Sequence, residues 1–97
     1  MKDRRSLKLI GTRIRSERIR AEMTQECLAE LAGIHWKTLG RIERGEFAFS
    51  IIVFARLAQH LSVNPAMILA DVEKPDVRRA LRIKKSLARK RVSKQNL

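Results

Sequence analysis

TQECLAELAGIHWKTLGRIERGE, residues 24–46, holds two short apolar-periodic runs with a single glycine, Gly33, between them. No other feature of the chain restricts its fold so strongly. Two helices of about two turns each are not stable alone, because nucleation is unfavourable and too few backbone bonds follow it. They make sense when one is a platform and the other is presented outward. Thr24 can cap the first, since its hydroxyl accepts from the free amides of the next turn. Leu28, Leu31 and Ala32 then supply one apolar stripe, and Gly33 ends the helix. The second helix starts near His35 or Trp36, buries Leu39 and Ile42, and ends at Gly45, which suits a left-handed residue.

The flanking sequence predicts rigid support for this pair. Leu7, Ile10 and Ile14 recur at helical spacing, giving a first helix over about residues 6–21 whose Arg13, Arg15, Arg18 and Arg20 make a basic outer surface. Ser50 caps a fourth helix with a core stripe of Ile51, Phe54, Leu57, Ala58 and Leu61. Asn64-Pro65 is a cap followed by proline at the first helical position, which opens a fifth helix over about 65–71. Sustained period-two alternation and Asn-Gly or Asp-Gly turns are missing, so the chain reads as all-α.

Lys74-Pro75 breaks the chain, and beyond it Val77, Leu81, Ala88 and Val92 lie near one face of a candidate sixth helix, very basic and marginal in isolation, with a plain basic tail as the alternative. The charge divides at the same place. Residues 1–73 carry 12 basic and 9 acidic side chains, whereas residues 74–97 carry 10 basic and 1 acidic. A nearly balanced domain, 1–73, is therefore followed by a basic tail, 74–97, and the total of +12 points to a polyanion such as nucleic acid.

Several function classes are disfavoured. A chain of 97 residues supports one modest core, which leaves little room for the deep cleft of an enzyme. Cys27 is the only cysteine, so an intrachain disulfide is impossible and a thiolate metal site lacks its second ligand; no metal or cofactor is expected. Glu26 and Glu30 are spaced as one solvated helix face, not as a catalytic dyad. No apolar run is longer than Ile51–Ala55, against about 20 residues for a membrane span. A cytoplasmic protein without a membrane partner is the expectation.

The segments GTRIRSER (11–18), TQECLAELAGI (24–34), RIERGE (41–46), FARLAQHLSV (54–63) and NPAMIL (64–69) together resemble the phage-repressor-like, XRE-type helix-turn-helix family, which includes the lambda and 434 repressors and Cro. The similarity runs from about Ile10 to Leu69. It implies a compact five-helix DNA-binding domain whose third helix enters the major groove. By this resemblance Gln25 holds the DNA backbone or an outer base from the start of helix two. His35, Trp36, Lys37 and Arg41 fall on or near the recognition helix. Arg18 and Glu43 match a structural salt bridge between helices one and three. Glu17 and Glu22 depart from the family, which usually has an apolar residue and a glycine there.

The chemistry of these residues supports that assignment. Lys37 and Arg41 are spaced to share one helical face. An arginine pairs bidentately with guanine O6 and N7, so Arg41 or Lys37 is the expected base reader, and Thr38 can touch a thymine methyl or a phosphate. Arg44 and Arg13 are expected at phosphates, which position the domain without carrying sequence information. Trp36 is expected to be exposed, because Ile34, Leu39 and Ile42 already fill the inward direction. Gly40 either allows close approach to DNA or relieves packing against helix two. Phe47, Phe49, Ile52 and Val53 lie outside the core stripe and form a candidate interface, with local burial as the alternative.

These features describe a sequence-specific regulator of bacterial or phage type that acts on double-stranded DNA, as a repressor and as a homodimer. A second reading is an antitoxin that binds both DNA and a toxin protein. A third, weaker one is an RNA or membrane-surface binder that uses the tail alone.

Overall fold

The computed structural model describes residues 2–95, with side chains for residues 3–90, and every regular element among them is a helix. The order is α1 (Lys2–Arg20), α2 (Gln25–Ala32), α3 (Trp36–Glu43), α4 (Ile51–Leu61), α5 (Pro65–Leu69) and α6 (Val77–Gln95). The all-α, five-helix domain followed by a helical tail is as the sequence predicts. The end of the basic tail, residues 96–97, lies outside the described residues, as does the side chain of Val92.

Local chemistry accounts for most of the boundaries. The Thr24 hydroxyl accepts the Cys27 amide at 3.0 Å, Ser50 accepts that of Val53 at 3.0 Å, and Asn64 accepts that of Ala66 at 2.9 Å. Asp76 does the same for Arg79 at 3.0 Å and so starts α6. Each such cap stabilises its helix by about 1 kcal/mol. Gly33 closes α2 at φ 73°, with its amide donating to the carbonyls of Ala29 and Glu30. Any residue with a Cβ is strained in that left-handed conformation.

α1 begins at Lys2, not near residue 6, because Lys2–Arg5 favour a helix and Asp3 sits in the first turn, yet none of them is apolar enough to mark it by periodicity. α5 stops at Leu69, short of the expected residue 71. Glu22, where the resembled family has glycine, takes a left-handed φ of 58° in the turn after α1.

The core sits where α1, α2, α3, α4 and α5 converge, and Ile14, Leu28, Leu39, Ile42, Leu57 and Ile68 are fully buried in it. Each contributes about 1.5–3 kcal/mol of hydrophobic stabilisation. Two expected core residues are not there. Leu31 is 46% exposed, because the buried face of α2 is centred on Leu28, Ala29 and Ala32, and Leu31 lies about a third of a turn from it. Ile51 is 75% exposed, because the first turn of α4 overhangs the core that begins at Phe54.

α1 and α3 approach closely at two glycines. A Cβ on Gly11 would collide with the Ile42 carbonyl oxygen and come within 2.7 Å of that of Glu43. A Cβ on Gly45 would lie 2.5 Å from the Lys8 Cα. The backbone of α3 and its following turn thus rests directly on α1.

α6 is different in kind. Every side chain described in it, residues 77–90, is exposed, and it packs substantially against none of the other helices. It extends the molecule to 61 Å along one axis against 23 Å on the other two. The linker before it is tied to α1 through Ser6, whose hydroxyl donates to the Val72 carbonyl at 3.2 Å and to the Glu73 carboxylate. No described helix is long and apolar enough to cross a membrane.

Candidate DNA-binding surface

α3 is amphipathic over only eight residues, and that brevity sorts its side chains cleanly. Leu39, Ile42 and Glu43 point inward and are buried. Lys37 and Arg41, one turn apart, are exposed together on the opposite face, with Thr38 half-buried beside them. His35 caps the helix, its Nδ1 accepting the Lys37 amide at 3.1 Å, so the imidazole is held at the leading end of α3. Its ring stacks on Trp36 with centroids 5.9 Å apart. Trp36 is 43% exposed, as the sequence predicts, and the Lys37 ammonium lies 5.7 Å from the indole centroid. An aromatic surface with a cation on its face thus stands at the start of the helix.

Beneath this surface a buried polar network fixes α3 to its supports. Arg18 of α1 donates from Nε and Nη2 to the two carboxylate oxygens of Glu43, at 2.7 and 3.1 Å. Its Nη1 donates to the Met23 carbonyl at 2.8 Å, which ties in the turn before α2. Gln25 of α2 adds a bond from Nε2 to Glu43 at 3.0 Å. The side chains of Arg18 and Glu43 are 11% and 2% exposed, so three helices share one nearly dry ion pair. Gln25, expected at the DNA backbone, commits its amide nitrogen to this network.

Gly40 is buried. A Cβ there would meet Arg44 Nη1 at 3.2 Å and the Gln25 amide at 3.7 Å. The side chains of Arg44 and of Gln25 in α2 cover Gly40, so the contact with helix two is present and is made by a polar side chain.

The expected phosphate-contacting arginines separate. Arg13 donates to the carbonyls of Ile68 and Ala70, at 2.9 and 2.6 Å, and so satisfies the end of α5. Both bonds come from Nη1, so this part of Arg13 serves the fold. Arg44 stays exposed at the end of α3 but is held by Glu46, with Nε donating to Oε2 at 2.6 Å and Nη2 to Oε1 at 3.3 Å. Arg41 Nε lies 3.9 Å from the same carboxylate, and its guanidinium stands 4.8 Å over the Phe47 ring.

The hydrogen bond from Arg44 holds the Glu46 carboxyl below the usual carboxylate range, and the same bond raises Arg44. Because the carboxyl is more acidic here than in the unfolded chain, the pair is intact above the ordinary carboxylate range. It is lost only as pH falls through the depressed value.

Some members of the surface were not singled out from sequence. An open groove beside α3 is lined by Lys8, Thr12, Arg15 and Ser16 of α1 together with Gln25 and Arg44. Lys8 and Arg15 are seven apart, two turns of one helical face, and that spacing was the available signal. Glu46 had none, being one of two acidic residues in RIERGE with nothing in its spacing to set it apart. Of the four candidate interface residues, Phe47, Phe49 and Val53 are half-buried against the core, while Ile52 is 58% exposed beside Ile51.

The profile of the helix-turn-helix family matches residues 14–68. Among solved structures, the chain is similar to the restriction-modification controller protein C.AhdI from Aeromonas hydrophila, with 32% identity over 64% of this chain and 94% of that one, at a TM-score of 0.62. It is also similar to the clp gene regulator ClgR from Corynebacterium glutamicum, with 26% identity over 87% of each chain and a TM-score of 0.66. A helix-turn-helix family transcriptional regulator from Vibrio cholerae shares 25% identity over 71% of this chain and 39% of that one, at a TM-score of 0.64. No curated protein sequence matches the chain.

Proposed function

The chain belongs to the helix-turn-helix family of DNA-binding transcription regulators, and from that premise we propose that it is a sequence-specific repressor that occupies an operator with α3 in the major groove. The observation that carries this reading is the paired exposure of Lys37 and Arg41 on one face of a short helix whose opposite face is locked by Arg18 and Glu43. A helix of that width fits the major groove, about 12 Å across. Arg41 or Lys37 reads a base edge; His35, Trp36 and Thr38 contact the groove beside it. Arg44, Lys8, Arg15 and the start of α2 at Gln25 hold phosphates.

The protein acts as a homodimer on two half-sites about 34 Å apart. The exposed Ile51 and Ile52 support an interface at the start of α4. Selection of bound sequences from a random duplex pool tests the whole reading. The intact protein should enrich a motif repeated with two-fold symmetry. Arg41→Ala should weaken binding to that motif by about tenfold or more and relax one position, as the loss of a bidentate base contact does. A pool with no enriched motif would end the sequence-specific reading.

We assign residues 1–73 to recognition and residues 74–97 to non-specific affinity. α6 carries no acidic side chain and projects from the domain. Removing residues 75–97 should leave the domain folded and reduce the log–log salt slope of DNA binding by about 2–4, since each phosphate neutralised contributes about 0.9.

The antitoxin-like reading, in which a protein partner takes α6, is favoured by one observation. Val77, Leu81, Ile83 and Leu87 are 47–71% exposed on this helix, an apolar area for which a phosphate backbone offers no partner. An unchanged slope after truncation would transfer α6 to that reading.

A further inference from the structure

We infer that Glu46 is a built-in competitor of the DNA backbone: its carboxylate occupies the Arg44 guanidinium and borders that of Arg41, so that DNA must displace it to gain either cation. The inference rests on the DNA-binding reading and concerns how tightly that surface binds.

The geometry is specific. Glu46 makes a two-point contact with Arg44, at 2.6 and 3.3 Å, which is the fork-on-carboxylate arrangement an arginine would otherwise make with a phosphate. The same carboxylate lies 3.9 Å from Arg41 Nε, on a cation that also stands 4.8 Å over the Phe47 ring. One acidic side chain therefore stands between the two arginines on the outward part of α3.

Its position is set by backbone, not by chance of a loop. The Gly45 amide donates to the Ile42 carbonyl at 3.0 Å and the Glu46 amide to the Arg41 carbonyl at 3.0 Å, the paired bonds of a Schellman helix end. Gly45 is pressed against the α1 backbone at Lys8, so this turn cannot swing away as a unit. The Glu46 side chain alone is free to move. All three partners are substantially exposed, at 56% for Arg41, 60% for Arg44 and 42% for Glu46, so an incoming phosphate can reach them.

A phosphate arriving here meets a negative charge at the negative end of a helix dipole, where a basic surface would be expected to attract it. Once displaced, Glu46 takes up a cation from solution, which offsets part of the counterion release that drives association. Glu46 thus lowers both the affinity and its dependence on salt.

The test is binding of a short duplex of arbitrary sequence by the full chain and by Glu46→Gln, across a range of salt concentrations. Glu46→Gln should bind about three- to tenfold more tightly at low salt, with a log–log slope steeper by about 1. Glu30→Gln removes the same charge from an exposed position on α2 and should change affinity by less than about twofold. On an Arg44→Ala background, Glu46→Gln should lose most of its gain, which a general charge effect would not do.

Equal binding by the Glu46 and Glu30 variants, or a gain that persists without Arg44, would overturn the inference and leave the DNA-binding reading standing. Failure of the unaltered chain to bind duplex at low salt would remove both.

Discussion

Arg18→Met is expected to destabilise the protein by about 3–5 kcal/mol, a large part of the about 5–15 kcal/mol total stability of a small domain. The reason is what the substitution leaves behind. The Glu43 side chain is 2% exposed, and Arg18 supplies two of its three hydrogen bonds. Methionine fills similar volume but leaves the carboxylate with only the Gln25 amide. An uncompensated buried charge is far more costly than the ion pair itself is favourable.

The double variant Arg18→Met, Glu43→Leu should therefore recover most of the loss, since the apolar pair removes the charge together with its partner. Midpoints of urea unfolding measure both effects. A single variant within about 1 kcal/mol of the parent would mean that Glu43 reaches water or another donor and that the network does not hold α3 in place.

Gly11→Ala and Gly40→Ala should move stability in opposite directions, although both glycines lie inside helices and both changes add helix propensity of about 1 kcal/mol. At Gly11 the added methyl meets the carbonyl oxygens of Ile42 and Glu43, which are backbone of a helix fixed by its own bonds. α1 and α3 must separate, and a loss of about 2 kcal/mol or more is expected. At Gly40 the nearest atom is Arg44 Nη1 at 3.2 Å, the far end of an exposed and flexible side chain. That guanidinium shifts slightly, and a gain of about 0.5–1 kcal/mol follows. If both variants stabilise, the close crossing at Gly11 is wrong; if both destabilise, Gly40 is confined by something firmer than Arg44.

The features legible in the sequence share a short range. Thr24, Ser50 and Asn64 announce helix starts because a side-chain oxygen reaches an amide two or three residues away, whatever the rest of the chain does. Gly33 and Gly45 mark helix ends for an equally local reason, the left-handed backbone at each. The exposure of Lys37 and Arg41 opposite Leu39 and Ile42 follows from the helical period alone. Leu31 and Ile51 show where periodicity fails: it states which residues share a face but not where the neighbouring helix begins or how far it extends.

The candidate site divides along the same line. Arg13 and Arg44 look alike in sequence, both basic and both near the expected surface. Arg13 is claimed by carbonyls more than fifty positions away at the end of α5, and Arg44 by a carboxylate two positions on. Gln25 faces the expected side, yet part of its hydrogen-bonding capacity is spent inward on Glu43. Such assignments depend on which donors and acceptors the crossing of α1, α3 and α5 brings within bonding distance.

By itself, then, the sequence determined five helices and most of their caps, the concentration of basic charge after residue 73, and the outward face of α3. Those follow from interactions spanning one or two helical turns and from charge counted along the chain. Only the tertiary structure decided that Gly11 seats α3 on α1, that Arg13 serves the fold, and that Glu46 stands between two arginines of the candidate surface. Those depend on distances of a few ångströms between segments remote in sequence, or on a side-chain choice among several nearby partners, and helix packing fixes both.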